Sequence, residues 1–203
     1  EWKQRTRGSG WSVGENVITG IGQGYVLSSP LQLATMAARI ANGKVAPVPR
    51  LVRDTKTAER AGLKETASDL GLSEAHLRVV RDGMDGVVNG EHGTAKRAAI
   101  TTPGMEMAGK TGTSQVRRIS MAERKGGVIR NEQLPWIRRD HALFIGYAPV
   151  SRPRFAVAVV IEHGGAGSKA AAPVGRDILL KAQQLEALRI ADGTAVGAWR
   201  PGG

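Results

Sequence analysis

Apolar residues recur at helical spacing in some stretches and in alternating or continuous runs in others, and this pattern divides the chain. Leu77, Val80, Met84, Val87 and Val88 fall on one face of a helix that starts after Ser73 and ends at Asn89-Gly90. Val174, Ile178, Leu179, Leu185 and Leu188 mark a last helix, from Ser168 or Pro173 to about Arg189, and are expected to be its buried side. A further helix opens at Ser29-Pro30-Leu31-Gln32, with serine as the cap, proline in the first turn and glutamine three residues on. It runs to about Ala41 and stops at Asn42-Gly43. Strands are predicted over 106–115, 140–148 and 154–162, and the short connection 149–153 makes the last two antiparallel neighbours. Residues 44–53, with Pro47 and Pro49, read as extended, and the polar stretch 54–72 as a surface excursion.

Helix, helix, three consecutive strands and a closing helix imply an α/β layer structure. Its sheet is mainly antiparallel and flanked by helices on at least one face. Between the first two strands, residues 117–138 form a long basic connection. It carries Arg117, Arg118, Arg124, Lys125, Arg130 and Arg138, with Arg139 next to it, against Glu123 and Glu132. A connection of that length inside a domain is a functional lid or a solvated loop.

Composition narrows the field of functions. The 203 residues suffice for one ordinary domain with a core, and 41% hydrophobic with 23% charged residues fits a folded protein. A net charge of +11 favours anionic partners, but with only 4% aromatics, stacking platforms for bases are scarce, and no nucleic-acid partner is expected. There is no cysteine, which removes disulfides and thiolate metal sites. His76, His92, His141 and His163 lack ligand spacing, so neither a metal nor any other cofactor is expected. His163 lies at a strand end, where a surface turn competes with a place near a cleft. The apolar run 155–161 is too short to cross a bilayer.

The chemistry concentrates in residues 104–114, which satisfy two patterns at once. Gly104 to Thr111 fits G-x-x-x-x-G-K-[ST], the loop that cradles nucleotide phosphates. Lys110-Thr111-Gly112 fits the K-T-G of serine enzymes that react with β-lactams. A phosphate loop requires a strand before its first glycine and a helix starting at Lys-Thr, whose amides hold the anion. Here Thr101-Thr102-Pro103 is poor strand sequence and Gly112-Thr113-Ser114-Gln115-Val116 is poor helix sequence. A strand lining a cleft suits the residues better. Gly112 lets a substrate backbone approach, Lys110 offers positive charge, and Thr111 and Thr113 share a face and carry hydroxyl donors.

Other stretches fall in the order found in one family. Gly20-Ile21-Gly22-Gln23-Gly24-Tyr25 precedes Ser28-Ser29-Pro30-Leu31-Gln32-Leu33-Ala34; Asn42-Gly43-Lys44 ends the helix that follows. Gly93-Thr94-Ala95, Gly109-Lys110-Thr111-Gly112-Thr113-Ser114, residues 144–149 (FIGYAP) and Ala171-Ala172-Pro173-Val174 come after. Together they resemble the class B penicillin-binding proteins, and the opening Glu1-Trp2-Lys3 and the basic loop resemble the elongation-specific branch of Gram-negative bacteria. The resemblance implies that 1–203 is the C-terminal part of a transpeptidase domain of the serine β-lactamase and penicillin-binding fold. It also implies a D,D-transpeptidase that cross-links peptidoglycan stem peptides through a serine acyl-enzyme and is acylated by β-lactams. Lys110 and Thr113 would then be catalytic, and Lys110, Thr111, Gly112 and Thr113 would bind substrate. Gly22, Gln23 and Gly24 would form a tight turn behind the site. Expected partners are stem peptides, β-lactams and membrane proteins of the elongation machinery, these last reached through upstream regions. The expected setting is the inner membrane, with an anchor upstream and the catalytic domain in the periplasm.

The resemblance also exposes a gap. The family's S-x-x-K and S-x-[ND] motifs are nowhere in the chain; Ser68-Asp69-Leu70 comes nearest to the second. The fragment alone is therefore expected to be inactive and to aggregate or pair with the missing half. The alternatives are a non-catalytic penicillin sensor or cell-wall scaffold, then a nucleotide-binding protein.

Overall fold

A computed structural model describes residues 1–43, 47–49 and 71–192. The expected excursion 54–72 therefore falls almost wholly outside the described residues, as does the Ser68-Asp69-Leu70 approximation. Two short helices that the hydrophobic pattern did not announce come first, α1 (Trp2–Arg7) and α2 (Val13–Gly20). They meet at Tyr25, whose ring lies 5.6 Å from Trp2 and 6.3 Å from Trp11, and Lys3 bridges to Glu15 at 2.6 Å. The turn after α2 is as tight as the glycines implied. Gly22 and Gly24 hold φ of 75° and 86°, a region that costs side-chain-bearing residues dearly.

Helix α3 (Pro30–Asn42) begins at a reciprocal cap. The Ser29 amide donates to Gln32 Oε1 at 2.8 Å, and the Gln32 amide donates to Ser29 Oγ at 3.3 Å. It ends at Gly43 with φ 77°. Helix α4 (Glu74–Asn89) is capped by Ser73. Leu77, Met84 and Val88 are buried and Val87 packs on the core, but Val80 is exposed, contrary to expectation. The buried stripe leans towards Arg81, whose Nε donates to the Ile40 carbonyl at 2.8 Å and ties α4 to α3.

Three strands follow: β1 (Ala108–Ser114), β2 (His141–Ala148) and β3 (Phe155–Ile161). They form an antiparallel sheet in the order β1-β2-β3, with Thr111 opposite Phe144 and Phe144 opposite Val159. Strand β1 starts two residues later than its alternation suggested, because Met107 and Met105 pack into the core as an entry segment. Helix α6 (Ala171–Ala191) covers one face of the sheet, burying Leu179 with Phe144, Val157 and Val159. Helices α3 and α4 cover the other, where Ala41 and Met84 meet Ala108 and Tyr147.

The inward side of α6 is the main correction. It is lined by Ala171, Ala172, Gly175, Leu179 and Gln183, whereas Val174, Ile178, Leu185 and Leu188 are exposed. Phe144 explains the choice. Its ring is wedged between the sheet and α6: an added methyl at Gly109 would overlap its Cζ, and methyls at Gly146 and Gly175 would sit 2.8 and 2.5 Å from its atoms. Only small residues let the helix come that close.

Candidate functional site

Lys110, Thr111, Gly112 and Thr113 all lie on β1, opposite Ile145, Phe144, Leu143 and Ala142. One edge of β1 pairs with β2, and the other bears no strand among the described residues. A strand with one open edge offers main-chain donors and acceptors to an extended peptide. The phosphate-loop alternative fails here: the backbone is extended through Lys110 and Thr111, so no helix N-terminus stands where phosphates would sit.

Residues directly opposite on antiparallel strands share a face. Thr111 and Thr113 therefore share theirs with buried Phe144 and Ala142, towards α6, while Lys110 and Gly112 look to the other side. Towards the start of β1 the strand is buried; from Lys110 onwards it rises to the surface, with Thr113 and Ser114 exposed. Lys110 Nζ donates to the Thr111 carbonyl at 2.8 Å, which holds the ammonium along the strand. An added methyl at Gly112 would lie 3.3 Å from Leu143 Cβ, and one at Gly167 would lie 3.0 Å from the Gly112 amide nitrogen. It is Gly167, bare of a side chain, that lets the 163–170 segment pass close over the backbone of Gly112 and Leu143 on its way to α6.

In the sequence Thr94 is marked only as part of the Gly93-Thr94-Ala95 landmark. In the structure its hydroxyl lies 3.3 Å from the Thr111 hydroxyl. The signal was present in the Gly93-Thr94-Ala95 spacing, but nothing in the sequence places that turn beside β1.

The basic connection is organised by its own contacts. It contains α5 (Met121–Gly126), capped by Ser120, and two single turns of 3₁₀ helix, Asn131–Gln133 and Trp136–Arg138. Arg117 grips Glu123 through two hydrogen bonds, at 2.7 and 2.6 Å, and Glu123 Oε1 also accepts the Ile129 amide. The Arg117 guanidinium is the main reason the Glu123 carboxyl is lowered to about 2. At the far end Asn131 and Asp140 exchange hydrogen bonds at 2.9 and 3.1 Å, and Arg139 Nε donates to the Leu134 carbonyl. Arg118, Arg124, Lys125, Arg130 and Arg138 remain exposed.

His163 closes this end rather than the strand. With φ 55°, its amide donates to His141 Nδ1 at 2.9 Å, its ring meets the Arg139 carbonyl, and the Trp136 ring stands edge-on 4.4 Å away. Among the described residues no group of three or more His, Cys, Asp or Glu could hold a metal ion, and no helix is long and apolar enough to cross a membrane.

Comparison with known proteins places this geometry in context. The family model described as the penicillin binding protein transpeptidase domain matches residues 3–180. The peptidoglycan D,D-transpeptidase MrdA of Acinetobacter baumannii is 36% identical over 181 residues, which cover 86% of this chain and 26% of that protein. MrdA of Escherichia coli K12 is 32% identical over 170 residues, 82% of this chain and 26% of that protein. The chain thus spans about a quarter of the length of these relatives. Among solved structures, PBP2 of Helicobacter pylori in complex with MreC matches with a TM-score of 0.72 and 27% identity, over 92% of this chain and 30% of that one. PBP2 of Pseudomonas aeruginosa in complex with WCK 5153 matches with a TM-score of 0.64 and 36% identity, over 91% of this chain and 35% of that one.

Proposed function

Because the chain belongs to the penicillin-binding-protein transpeptidase family, we propose that β1 is the substrate-binding wall of a peptidoglycan D,D-transpeptidase active in cell elongation. The observation that carries the reading is a Lys-Thr-Gly-Thr sequence on a strand whose outer edge bears no strand among the described residues, inside a chain matched by that family over residues 3–180. In the full-length parent a serine from outside this chain attacks the carbonyl of the penultimate residue of a stem peptide. The terminal residue departs with its new amino group, and an amine from a second stem peptide then displaces the serine. β-Lactams enter by the same acylation and deacylate slowly.

Lys110, Thr111, Gly112 and Thr113 each have a role in that scheme. The Lys110 ammonium stabilises the substrate carboxylate and supports proton movement near the nucleophile. Thr111 and Thr113 donate hydroxyl hydrogen bonds to the carboxylate. The Thr113 amide is one donor to the oxyanion, a contribution of about 3 kcal/mol in comparable acyl-transfer sites. Gly112 keeps the strand free of a side chain where the substrate backbone lies. None of these roles calls for a metal or cofactor.

The parent is proposed to be anchored in the inner membrane by an upstream segment, with this domain in the periplasm. Its partners are stem peptides, β-lactams and membrane proteins of the elongation machinery; the Helicobacter pylori relative was solved with MreC. Labelling of the full-length parent by a fluorescent penicillin tests the reading. Label that unlabelled drug displaces, and that Lys110→Ala weakens by about a hundredfold in rate, supports it. No label at any concentration overturns the enzyme and leaves a cell-wall scaffold or, against the extended backbone at Lys110, a nucleotide-binding protein.

A further inference from the structure

The turn that follows α4 has a geometry that the assigned residues of β1 do not explain. Gly90, Gly93 and Ala95 fold the chain back on the helix end: the Gly90 amide donates to Gly86, the Gly93 amide to Gly90 at 3.1 Å, and the Ala95 amide to Val87 at 2.9 Å. A methyl at Gly93 would overlap the Val87 carbonyl and sit 2.7 Å from that of Gly86, so the fold-back needs glycine there. Ala95 and Ala98, just beyond, are buried in the main core. The turn is therefore pinned on both sides of Thr94.

The same helix end is stitched to the entry of β1. Asn89 Nδ2 donates to the Met107 carbonyl at 3.0 Å and is itself held by Asp85 Oδ1 at 2.6 Å. These contacts bring Thr94, which is exposed, beside half-buried Thr111, their hydroxyls 3.3 Å apart, a long hydrogen bond for two hydroxyls that a carboxylate drawing on Thr111 would tighten. A hydroxyl has one hydrogen to donate and two lone pairs to accept with. If Thr111 gives its hydrogen to a carboxylate in the cleft, a lone pair is left to accept the Thr94 hydrogen. That donation aims the Thr111 hydrogen outward and polarises it.

We infer that Thr94 is a positioning residue for substrate recognition, acting through the Thr111 hydroxyl on the carboxylate of the stem peptide or β-lactam. The inference rests on the reading of β1 given above. It does not place Thr94 in contact with substrate. Its reach is one hydrogen bond deep: Thr94 sets the direction in which Thr111 donates, and the pinned turn sets Thr94.

The test is a double-mutant cycle in the full-length parent, read as the saturation constant and limiting rate of acylation by a fluorescent penicillin. Thr94→Val keeps the shape and removes the hydroxyl. It is expected to weaken the saturation constant about fivefold to tenfold while leaving the limiting rate within about twofold. Thr94→Ser restores the wild-type constant. In a Thr111→Val background the Thr94→Val effect disappears, because the hydroxyl it acts through is gone. A Thr94→Val protein that saturates like wild type overturns the inference, as does an equal loss with and without Thr111. Thr94→Ser that fails to restore the constant while melting like wild type overturns it too. Should Thr94→Val fail to fold, comparing Thr94→Ala with Thr94→Ser in both Thr111 backgrounds carries the same decision. If the wild-type parent takes no label, the failure lies with the transpeptidase reading itself.

Discussion

Phe144 shows at the level of single residues what pattern reading catches and what it misses. Its place in a strand was legible, since 140–148 reads as one. The three glycines that embrace it were not, because Gly109, Gly146 and Gly175 are far apart in sequence and look like turn formers or motif residues. The same ring explains why α6 turns its small residues inward and leaves Val174 and Ile178 exposed. Hydrophobicity alone picks the larger side chains; the distance between helix and sheet picks the smaller. Substituting Gly175→Val in the full-length parent should cost about 1–3 kcal/mol through overpacking, read as a lower melting temperature at unchanged denaturant slope. Phe144→Ala should cost about 3–5 kcal/mol. A Gly175→Val protein as stable as wild type would mean that α6 does not press on that ring.

Whole elements were legible where local chemistry marks their ends. Ser29 with Gln32, and Ser73 with the His76 amide, fix two helix starts that the structure reproduces. Ser29→Ala should therefore lower stability by about 1 kcal/mol, measured by denaturant unfolding of the parent. The 117–138 connection was legible only as basic, since its order comes from pairings that charge counting cannot assign. Arg117 and Glu123 are half-buried within a surface loop whose other charges are solvated, so the effect of their pair is local. The sign of its pH dependence follows from Glu123, whose carboxyl is lowered from 4.5 to about 2. The contact is complete above pH about 4.5 and is lost as the pH falls towards about 2. A carbon-detected titration of the Glu123 carboxyl should have its midpoint near about 2 in wild type and move up towards about 4.5 in Arg117→Ala. A wild-type midpoint already near about 4.5 would show the pair to be absent in solution.

At the scale of the molecule, charge and fold give opposite readings of the same lysine. The net charge of +11 and the loop cations favour loose association with any polyanion, ATP included. A fit to G-x-x-x-x-G-K-T invites that association to be read as a nucleotide site. The sheet decides otherwise, because Lys110 lies within an extended strand between Gly109 and Thr111, where a phosphate loop would begin a helix. The sequence already leaned this way through its β-branched residues, but the antiparallel register with β2 could only be seen in the structure. The two readings separate under salt. Binding by diffuse charge is screened once the Debye length falls to a few ångströms, whereas acylation is a bond formed inside a site. ATP affinity of the parent should therefore be weak, vanish by about 0.5 M salt and be indifferent to Lys110→Ala, since one cation among many carries little of a diffuse field. Penicillin acylation should persist at the same salt and fall with that substitution. ATP binding that survives salt and depends on Lys110 would reverse the assignment, because only a formed phosphate cradle could produce it.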